Sequence, residues 1–232
     1  MANFNTHIVV GAVASGALAT AFLGAQIVKP QDVLILSMVG AIGGMLPDID
    51  SDNSTPVKIM FHVLSIIFAF MVMFAKAESF SIIELWIVWG FCYVLVRYVI
   101  SELFKKSTVH RGIFHSVVAG LFFWFLTTAF SHYFFNSSNF IAWMTGFFVF
   151  FGFMIHLCLD EIYSVDLLNR RMKRSAGTAL KIYDYKNYWT SVYMFALMLV
   201  VYLLTPSSKE FLDVIFNLNT YIGMFNNLLV KS

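Results

Sequence analysis

Long apolar stretches separated by short polar segments run along most of the chain. A transmembrane helix needs about 20 mostly apolar residues, and seven stretches approach or meet that length. They are residues 7–28, 33–46, 57–75, 80–100, 113–135, 140–159 and 188–205. The pattern predicts an all-α integral membrane protein, with a bundle of about seven transmembrane helices over residues 7–205 and a single membrane-embedded domain over residues 1–232.

Two prolines and a set of small residues refine this picture. Pro47 ends the short second stretch, because proline disfavours helix at the preceding residue, whereas Thr55-Pro56 is typical of an N-cap followed by the first turn of the third helix. Small residues let membrane helices approach closely. They recur in the first two stretches at Gly11, Ser15, Gly16, Ala19, Gly40, Gly43 and Gly44. The first two helices are therefore expected to form a tight pair.

The C-terminal tail has a different pattern. Its apolar residues recur at spacings of four and three, opposite Asp213, Asn217, Thr220 and Asn227. The apolar positions are Phe211, Ile215, Leu218, Ile222, Phe225 and Leu229. This pattern predicts an amphipathic helix over residues 209–230, lying on the membrane or packed on the bundle rather than crossing it.

Composition agrees with a membrane protein. Hydrophobic residues make up 59% of the 232 residues and charged residues 12%, against about a quarter charged in a soluble domain. The net charge of +2 gives no reason to expect a nucleic-acid partner. Cys92 and Cys158 lie in separate apolar stretches, which favours buried free thiols. Because residues 1–6 lack a basic leader region, the first stretch is expected to be a retained membrane anchor.

The basic residues are distributed unevenly over the two faces of the predicted bundle. With the N-terminus on one face, eleven of the 15 lysines and arginines fall on that face or close to it, and four fall on the other. The positive-inside rule then places the N-terminal face in the cytoplasm of a bacterial inner membrane. The basic run 170–174 is best explained as a topology determinant beside anionic lipid. The alternative is that some of its residues, Arg174 among them, hold a phosphate head group.

Metal-ligand side chains gather on the same predicted face. They are His7, Asp48, Asp50, His110, His115, His156 and Asp160. His156 and Asp160 are four apart and share one helical face, and Gly112 permits a turn between His110 and His115. These ligands exceed what one tetrahedral zinc needs, and they suit two divalent ions (Zn, Mn or Fe) that share a carboxylate. The pattern leaves open whether His62, Asp52 or Asp166 joins the site.

These motifs resemble a known family. The segments that carry the resemblance are Asn5-Thr6-His7, Gly44–Asp50, His110-Arg111-Gly112, Phe114-His115-Ser116, His156 with Asp160 and Ser164, and Lys173–Lys181. They are similar to the YdjM-like family, described as inner-membrane-associated metal-dependent hydrolases, some of them called LexA-binding. The resemblance runs from about residue 3 to residue 186. It implies metal-dependent hydrolysis by the seven ligands above, and a more distant similarity to zinc-dependent phospholipase C implies a phosphoester substrate.

The expected activity is hydrolysis of a phosphoester in a membrane lipid, by a metal-activated water at the cytoplasmic membrane face. Glu161 is the candidate base or orienting residue, and Arg111, Lys181 and Arg174 are candidates to hold the phosphate. The term LexA-binding does not identify a protein partner, because it can describe control of a gene. One alternative is a membrane scaffold with a structural metal. A metal-ion transporter is less favoured, because the middle of the spans is nearly free of charge.

Overall fold

A computed structural model describes residues 4–50, 55–102, 114–166, 171–172, 180–183, 185 and 188–227. The chain divides into two compact units. The first comprises Met1–Pro47 and Ile113–Ser232, and the second comprises Asp48–Gly112.

The elements follow one another in this order. They are α1 (Phe4–Gly24), α2 (Pro30–Gly43), a 3-10 helix (Leu46–Asp50), α3 (Thr55–Ala75), α4 (Ile82–Val94) with a π-helix (Leu95–Ile100), α5 (Val117–Phe135), α6 (Asn139–Ser164), β1 (Val165–Asp166), β2 (Arg171–Met172), α7 (Tyr188–Leu203), α8 (Lys209–Ile215) and α9 (Leu218–Asn226). The two short strands pair antiparallel.

The structure confirms a helical membrane protein. In the described part of the chain, five segments are long and apolar enough to cross a membrane. They are Asn5–Gly24, Pro30–Asp48, Ile82–Ile100, Val117–Phe135 and Asn139–Tyr163. The third and seventh predicted spans contain the shorter apolar helices Phe61–Phe74 and Tyr188–Leu203, so the count of seven crossings stays a prediction.

Helix α6 is the central element of the first unit, where it packs against α1, α2, α5 and α8. Its N-terminal half contributes Trp143, Met144 and Phe148 to the apolar core, together with Phe22 from α1 and Leu36 from α2. A membrane helix that is apolar on every side is buried by its neighbours. The C-terminal half of α6 carries the polar residues of the candidate site.

The predicted tight packing of α1 and α2 is confirmed and extends to α6. A Cβ atom added to Gly40 would overlap the Ser15 side chain on α1, and one added to Gly152 on α6 would overlap the Gly40 carbonyl oxygen. One added to Gly43 would lie 2.8 Å from the Val149 carbonyl carbon. We call Gly40, Gly43 and Gly152 the glycine seam. Only glycine allows the backbones of α2 and α6 to meet at this distance.

The tail packs on the bundle as two short helices, where the sequence predicted one. Asn217 interrupts it, because its side chain accepts a hydrogen bond from the Asn219 N–H (3.0 Å) and so caps the start of α9. Phe211 on α8 is buried in the core beside Trp143. Asn227 donates a hydrogen bond to the Gly24 carbonyl at the end of α1 (2.8 Å).

The second unit contains α3, α4 and the π-helix. Helix α3 packs against α4, and His62 Nδ1 lies 2.8 Å from the Tyr93 hydroxyl between them. Trp89 stacks on Tyr93 with ring centroids 5.4 Å apart. At its start, α4 has a capping box formed by Ser81 and Glu84. Within this unit His62 therefore has Tyr93 as a partner.

Candidate metal centre

A single buried carboxylate lies at the centre of three histidines in the first unit. Asp160 Oδ1 is 3.3 Å from His7 Nε2, and Asp160 Oδ2 is 3.7 Å from His156 Nε2 and 3.9 Å from His115 Nε2. All four side chains are between 0% and 3% exposed. Such a concentration of ionisable groups inside a membrane-spanning bundle is costly unless the groups share a partner.

Two helices and the residue before the cap of a third supply these side chains. His7 comes from the first turns of α1, and His156 and Asp160 come from one face of α6, four residues apart. His115 immediately precedes Ser116, whose hydroxyl caps α5 by accepting a hydrogen bond from the Ala119 N–H (3.3 Å). Because each ligand candidate is at or near a helix end or on a rigid helix, the backbone fixes its position.

The rings of His7 and His156 stack on one another. Their centroids are 3.7 Å apart and their planes differ by 14°. Both Nε2 atoms face Asp160. The Nδ1 atom of His7 is buried, and no residue in the described ranges makes a hydrogen bond with it. A buried ring nitrogen of this kind needs a partner to offset its desolvation.

The hydrogen bond to Gly44 fixes the tautomer of His156. His156 Nδ1 lies 2.7 Å from the Gly44 carbonyl oxygen. Because a carbonyl oxygen only accepts, Nδ1 must carry the proton. The Nε2 atom of the neutral ring then carries the lone pair, on the side where Asp160 lies. Metal-binding histidines usually have this arrangement, in which the second ring nitrogen donates to a carbonyl or carboxylate.

Lys181 approaches the same end of the bundle through its backbone. Its carbonyl accepts a hydrogen bond from the Val117 N–H (2.9 Å), and the Ile182 carbonyl accepts one from the Val118 N–H (3.2 Å). These bonds satisfy two N–H groups that the start of a helix leaves unpaired. Lys181 itself is buried. The segment that carries it is thus attached two residues after His115.

His7, His156 and Asp160 together suit a divalent ion. Ligands at about 2.0–2.1 Å from a tetrahedral ion are roughly 3.4 Å from one another, close to the 3.3–3.9 Å separations around Asp160. Candidate ligand atoms of His7, His156 and Asp160 all lie within 4.8 Å of one another. Mixed imidazole and carboxylate ligation is compatible with Zn, Mn or Fe. These three residues therefore fit the predicted metal, and His115, 3.9 Å from Asp160, is a candidate for the fourth ligand.

The structure brings together four of the seven predicted ligands: His7, His115, His156 and Asp160. Asp48 belongs to the second unit, and Glu161 is half-buried next to Asp160 on α6. Outside the described part of the chain lie Asp52, His110, Arg111 and Arg174, together with the side chains of Asp50 and Asp166. For those residues the sequence predictions stay predictions.

The sequence analysis did not predict the hydrogen bond between His156 and the Gly44 carbonyl. The glycines of the second stretch predict close packing, and that packing places the Gly44 carbonyl against His156. One signal was available in the spacing: Gly152 precedes His156 by four residues, and Gly40 precedes Gly44 by four. Such residues lie one turn apart on the same helical face.

The chain matches the model of a known family over nearly its whole length. The model of a family described as YdjM inner membrane protein matches residues 1–225 of the chain. No curated protein and no solved structure matches.

Proposed function

We propose that this chain, which belongs to the YdjM inner membrane protein family, is a membrane-bound metal-dependent hydrolase acting on a phosphoester in a lipid-type substrate. One observation carries the proposal: a buried carboxylate, Asp160, faces three imidazole nitrogens at 3.3–3.9 Å. A divalent cation held there would supply Lewis-acid activation of water and neutralise phosphate charge. His7, His115, His156 and Asp160 would hold it.

The charge of this ligand set favours an anionic substrate. Three neutral imidazoles and one carboxylate have a net charge of −1, so a divalent ion leaves the centre at +1. A buried centre with an uncompensated positive charge is stabilised by an anionic group beside it. A phosphate group of a lipid meets this need, whereas a neutral ester or amide does not.

The chain has further residues for binding and proton transfer. Lys181 is held by its backbone at the start of α5, next to His115, and is proposed to hold the phosphate as a point charge. Arg111 and Arg174 are proposed to assist it, because the guanidinium group binds phosphate with two parallel hydrogen bonds. Glu161, adjacent to Asp160, is proposed to accept the proton of the attacking water or to orient a ligand.

The proposed site lies near one membrane surface. It combines the start of α1, the start of α5 and the C-terminal half of α6. Tyr183, Tyr185, Tyr188 and Trp189 are exposed just after Lys181, and such residues are enriched at membrane–water interfaces. By the positive-inside rule this is the cytoplasmic face. A site at that depth suits a substrate whose acyl or prenyl tail stays in the bilayer.

A second ion is also proposed, with Asp48, Asp50 and His110 as its ligands. Two ions would stabilise both the attacking and the leaving oxygen of a phosphoester. Asp160 and its three histidines would provide enough ligands for one ion, so the second depends on the other three residues.

A metal-binding scaffold is the second candidate function. The complete burial of the four ligand candidates favours it, because a structural site has four protein ligands and no open position for water. The position of Asp160 along its helix does not favour a metal-ion transporter. Asp160 lies near the C-terminal end of the Asn139–Tyr163 span, whereas transporters bind their ions near the middle of the membrane.

The test begins with metal content. Protein purified in detergent without chelator is reloaded with Zn²⁺ or Mn²⁺ and measured by mass spectrometry, beside His156→Ala and Asp160→Ala. We expect bound metal in the parent and loss in both variants. Loaded parent and Glu161→Gln are then assayed for phosphate or head-group release from phospholipids and polyprenyl phosphates. Turnover in the parent that falls in Glu161→Gln supports the hydrolase. A folded, loaded parent without turnover supports the scaffold, and a parent without metal removes the basis for both.

A further inference from the structure

We propose that the backbone carbonyl of Gly44 is a positioning group for the metal centre, and that the glycine seam brings it within reach of His156. The proposal rests on the proposed metal site, since it concerns how one ligand of that site is held. The seam would then have a second role besides helix packing: it would select the nitrogen with which His156 binds the ion.

The seam and the hydrogen bond lie on matching faces of two helices. Gly152 precedes His156 by one turn of α6, and Gly40 precedes Gly44 by one turn at the end of α2. A Cβ on Gly152 would lie 2.8 Å from the Gly40 carbonyl carbon and 2.9 Å from the Gly44 nitrogen. The contact at Gly152 therefore directly adjoins the residue that binds His156.

Close approach at the seam is a condition for the hydrogen bond. The distance from His156 Nδ1 to the Gly44 carbonyl oxygen is 2.7 Å. A methyl group at Gly152 would have to move the two backbones apart by roughly 1 Å, which takes this pair beyond hydrogen-bonding distance. Without that acceptor, the proton of the neutral His156 ring can lie on either nitrogen. The lone pair that would bind the ion is then no longer confined to Nε2.

Gly44 also adjoins the helix that carries His7. A Cβ on Gly44 would be 3.5 Å from the His7 carbonyl oxygen and 3.5 Å from the Gly152 carbonyl oxygen. Gly44 thus lies between the two backbones whose imidazole rings stack at 3.7 Å. Because these contacts are of ordinary van der Waals length and Gly44 has a right-handed helical φ of −66°, alanine fits there and keeps the carbonyl.

These distances define three alanine variants for the test. Gly152→Ala separates α2 from α6, and Gly44→Ala retains both the packing and the carbonyl. Gly146→Ala is the matched control on α6, because its added methyl overlaps the Trp124 carbonyl and the Thr128 hydroxyl of α5 away from the site. For each folded protein, Zn²⁺ affinity is measured by competition with a chelating dye. The His156 Nδ1–H signal is measured by NMR on protein containing ¹⁵N-histidine.

We expect Gly152→Ala to bind Zn²⁺ roughly 10–100-fold more weakly, as loss of an outer-shell partner does, and to lose the protected Nδ1–H signal. Gly44→Ala is expected to retain the signal and parental affinity. Gly146→Ala is expected to lower thermal stability while retaining both. Loss of affinity in Gly152→Ala but not in Gly146→Ala could then not be explained by lower stability alone. If Gly152→Ala does not fold, the parent loaded with ¹¹³Cd decides: we expect coupling of the metal to His156 Nε2.

Three outcomes would overturn the inference. One is parental Zn²⁺ affinity and an intact Nδ1–H signal in Gly152→Ala. The second is an equal loss of affinity in Gly146→Ala, and the third is metal coupling to His156 Nδ1 in the parent. These outcomes leave the proposed hydrolase standing. A parent that shows the Nδ1–H signal but binds no Zn²⁺ would instead overturn the metal site, and the role of Gly44 with it.

Discussion

Asp160→Asn tests the buried cluster with little change in packing. The amide has nearly the size of the carboxylate, so the substitution removes the negative charge and an anionic ligand atom while it keeps the shape. The carboxylate faces His7, His115 and His156 at 3.3, 3.9 and 3.7 Å. Loss of metal from this variant would therefore report ligand chemistry at the site rather than a cavity.

The expected magnitude follows from the number of ligands. Structural zinc sites bind with roughly 10–16 kcal/mol. Divided over four ligands, this gives about 3 kcal/mol for Asp160, or about 100-fold in Kd. At a free Zn²⁺ concentration 100 times the parental Kd, binding stabilises the parent by about 2.7 kcal/mol, and the same concentration would stabilise the variant by only about 0.4 kcal/mol.

The assay is thermal unfolding in detergent with and without Zn²⁺, together with dye competition for the Kd. Asp213→Asn is the matched control, because it removes an exposed carboxylate from α8 at the other end of the bundle. We expect the control to bind Zn²⁺ as the parent does. An Asp160→Asn variant with parental Kd and a parental gain in stability would refute the assignment of Asp160 as a ligand.

Three further predictions concern the bundle around the site. Phe211→Ala is expected to destabilise the protein by about 3–5 kcal/mol, because Phe211 is 3% exposed. Phe216→Ala is the control: Phe216 is 81% exposed, and its loss is expected to change stability by less than about 0.5 kcal/mol. Equal melting temperatures of the two variants would contradict this. Trp143→Phe is expected to cost about 1 kcal/mol in the same melting assay, since it removes the 3.0 Å hydrogen bond from Trp143 Nε1 to the Pro206 carbonyl. Ser207→Cys introduces an exposed thiol, which is expected to react with an impermeant maleimide from the periplasmic side of intact spheroplasts. The parent is the control for the native thiols. Labelling only after lysis would place the candidate metal centre on the periplasmic face.

The helices of the membrane bundle could be predicted because hydropathy is a property of short sequence windows. Apolar runs in a bilayer must satisfy their own backbone hydrogen bonds, which makes helix the expected structure. The tail shows where this reasoning ends. Its apolar spacing continues past Asn217, so periodicity predicts one helix, but the Asn217 side chain binds the Asn219 N–H and starts a new one. A local cap overrides the periodic pattern.

The candidate site was partly visible in the sequence for a similar reason. The spacing of His156 and Asp160 places them on one helical face, and alternating spans return His7 and His115 to the same end of the bundle. Spacing does not tell whether a side chain turns inward, so the stacking of His7 on His156 required the structure. The contact with Gly44 is made by a backbone carbonyl, which every residue type has, so the identity of the residue does not reveal it.

Pro47 links the sequence to the chemistry of His156. The last carbonyl groups of a helix have no intrahelical partner, and proline, which has no N–H, cannot extend the helix to supply one. Helix α2 ends at Gly43, and Gly44 follows as its capping residue. In a membrane an unpaired carbonyl is expensive, and His156 Nδ1 satisfies this one at 2.7 Å. The same bond that completes the end of α2 leaves His156 Nε2 facing Asp160. A single hydrogen bond thus completes the helix end and orients a candidate metal ligand, and the close packing at the glycine seam brings its two partners together.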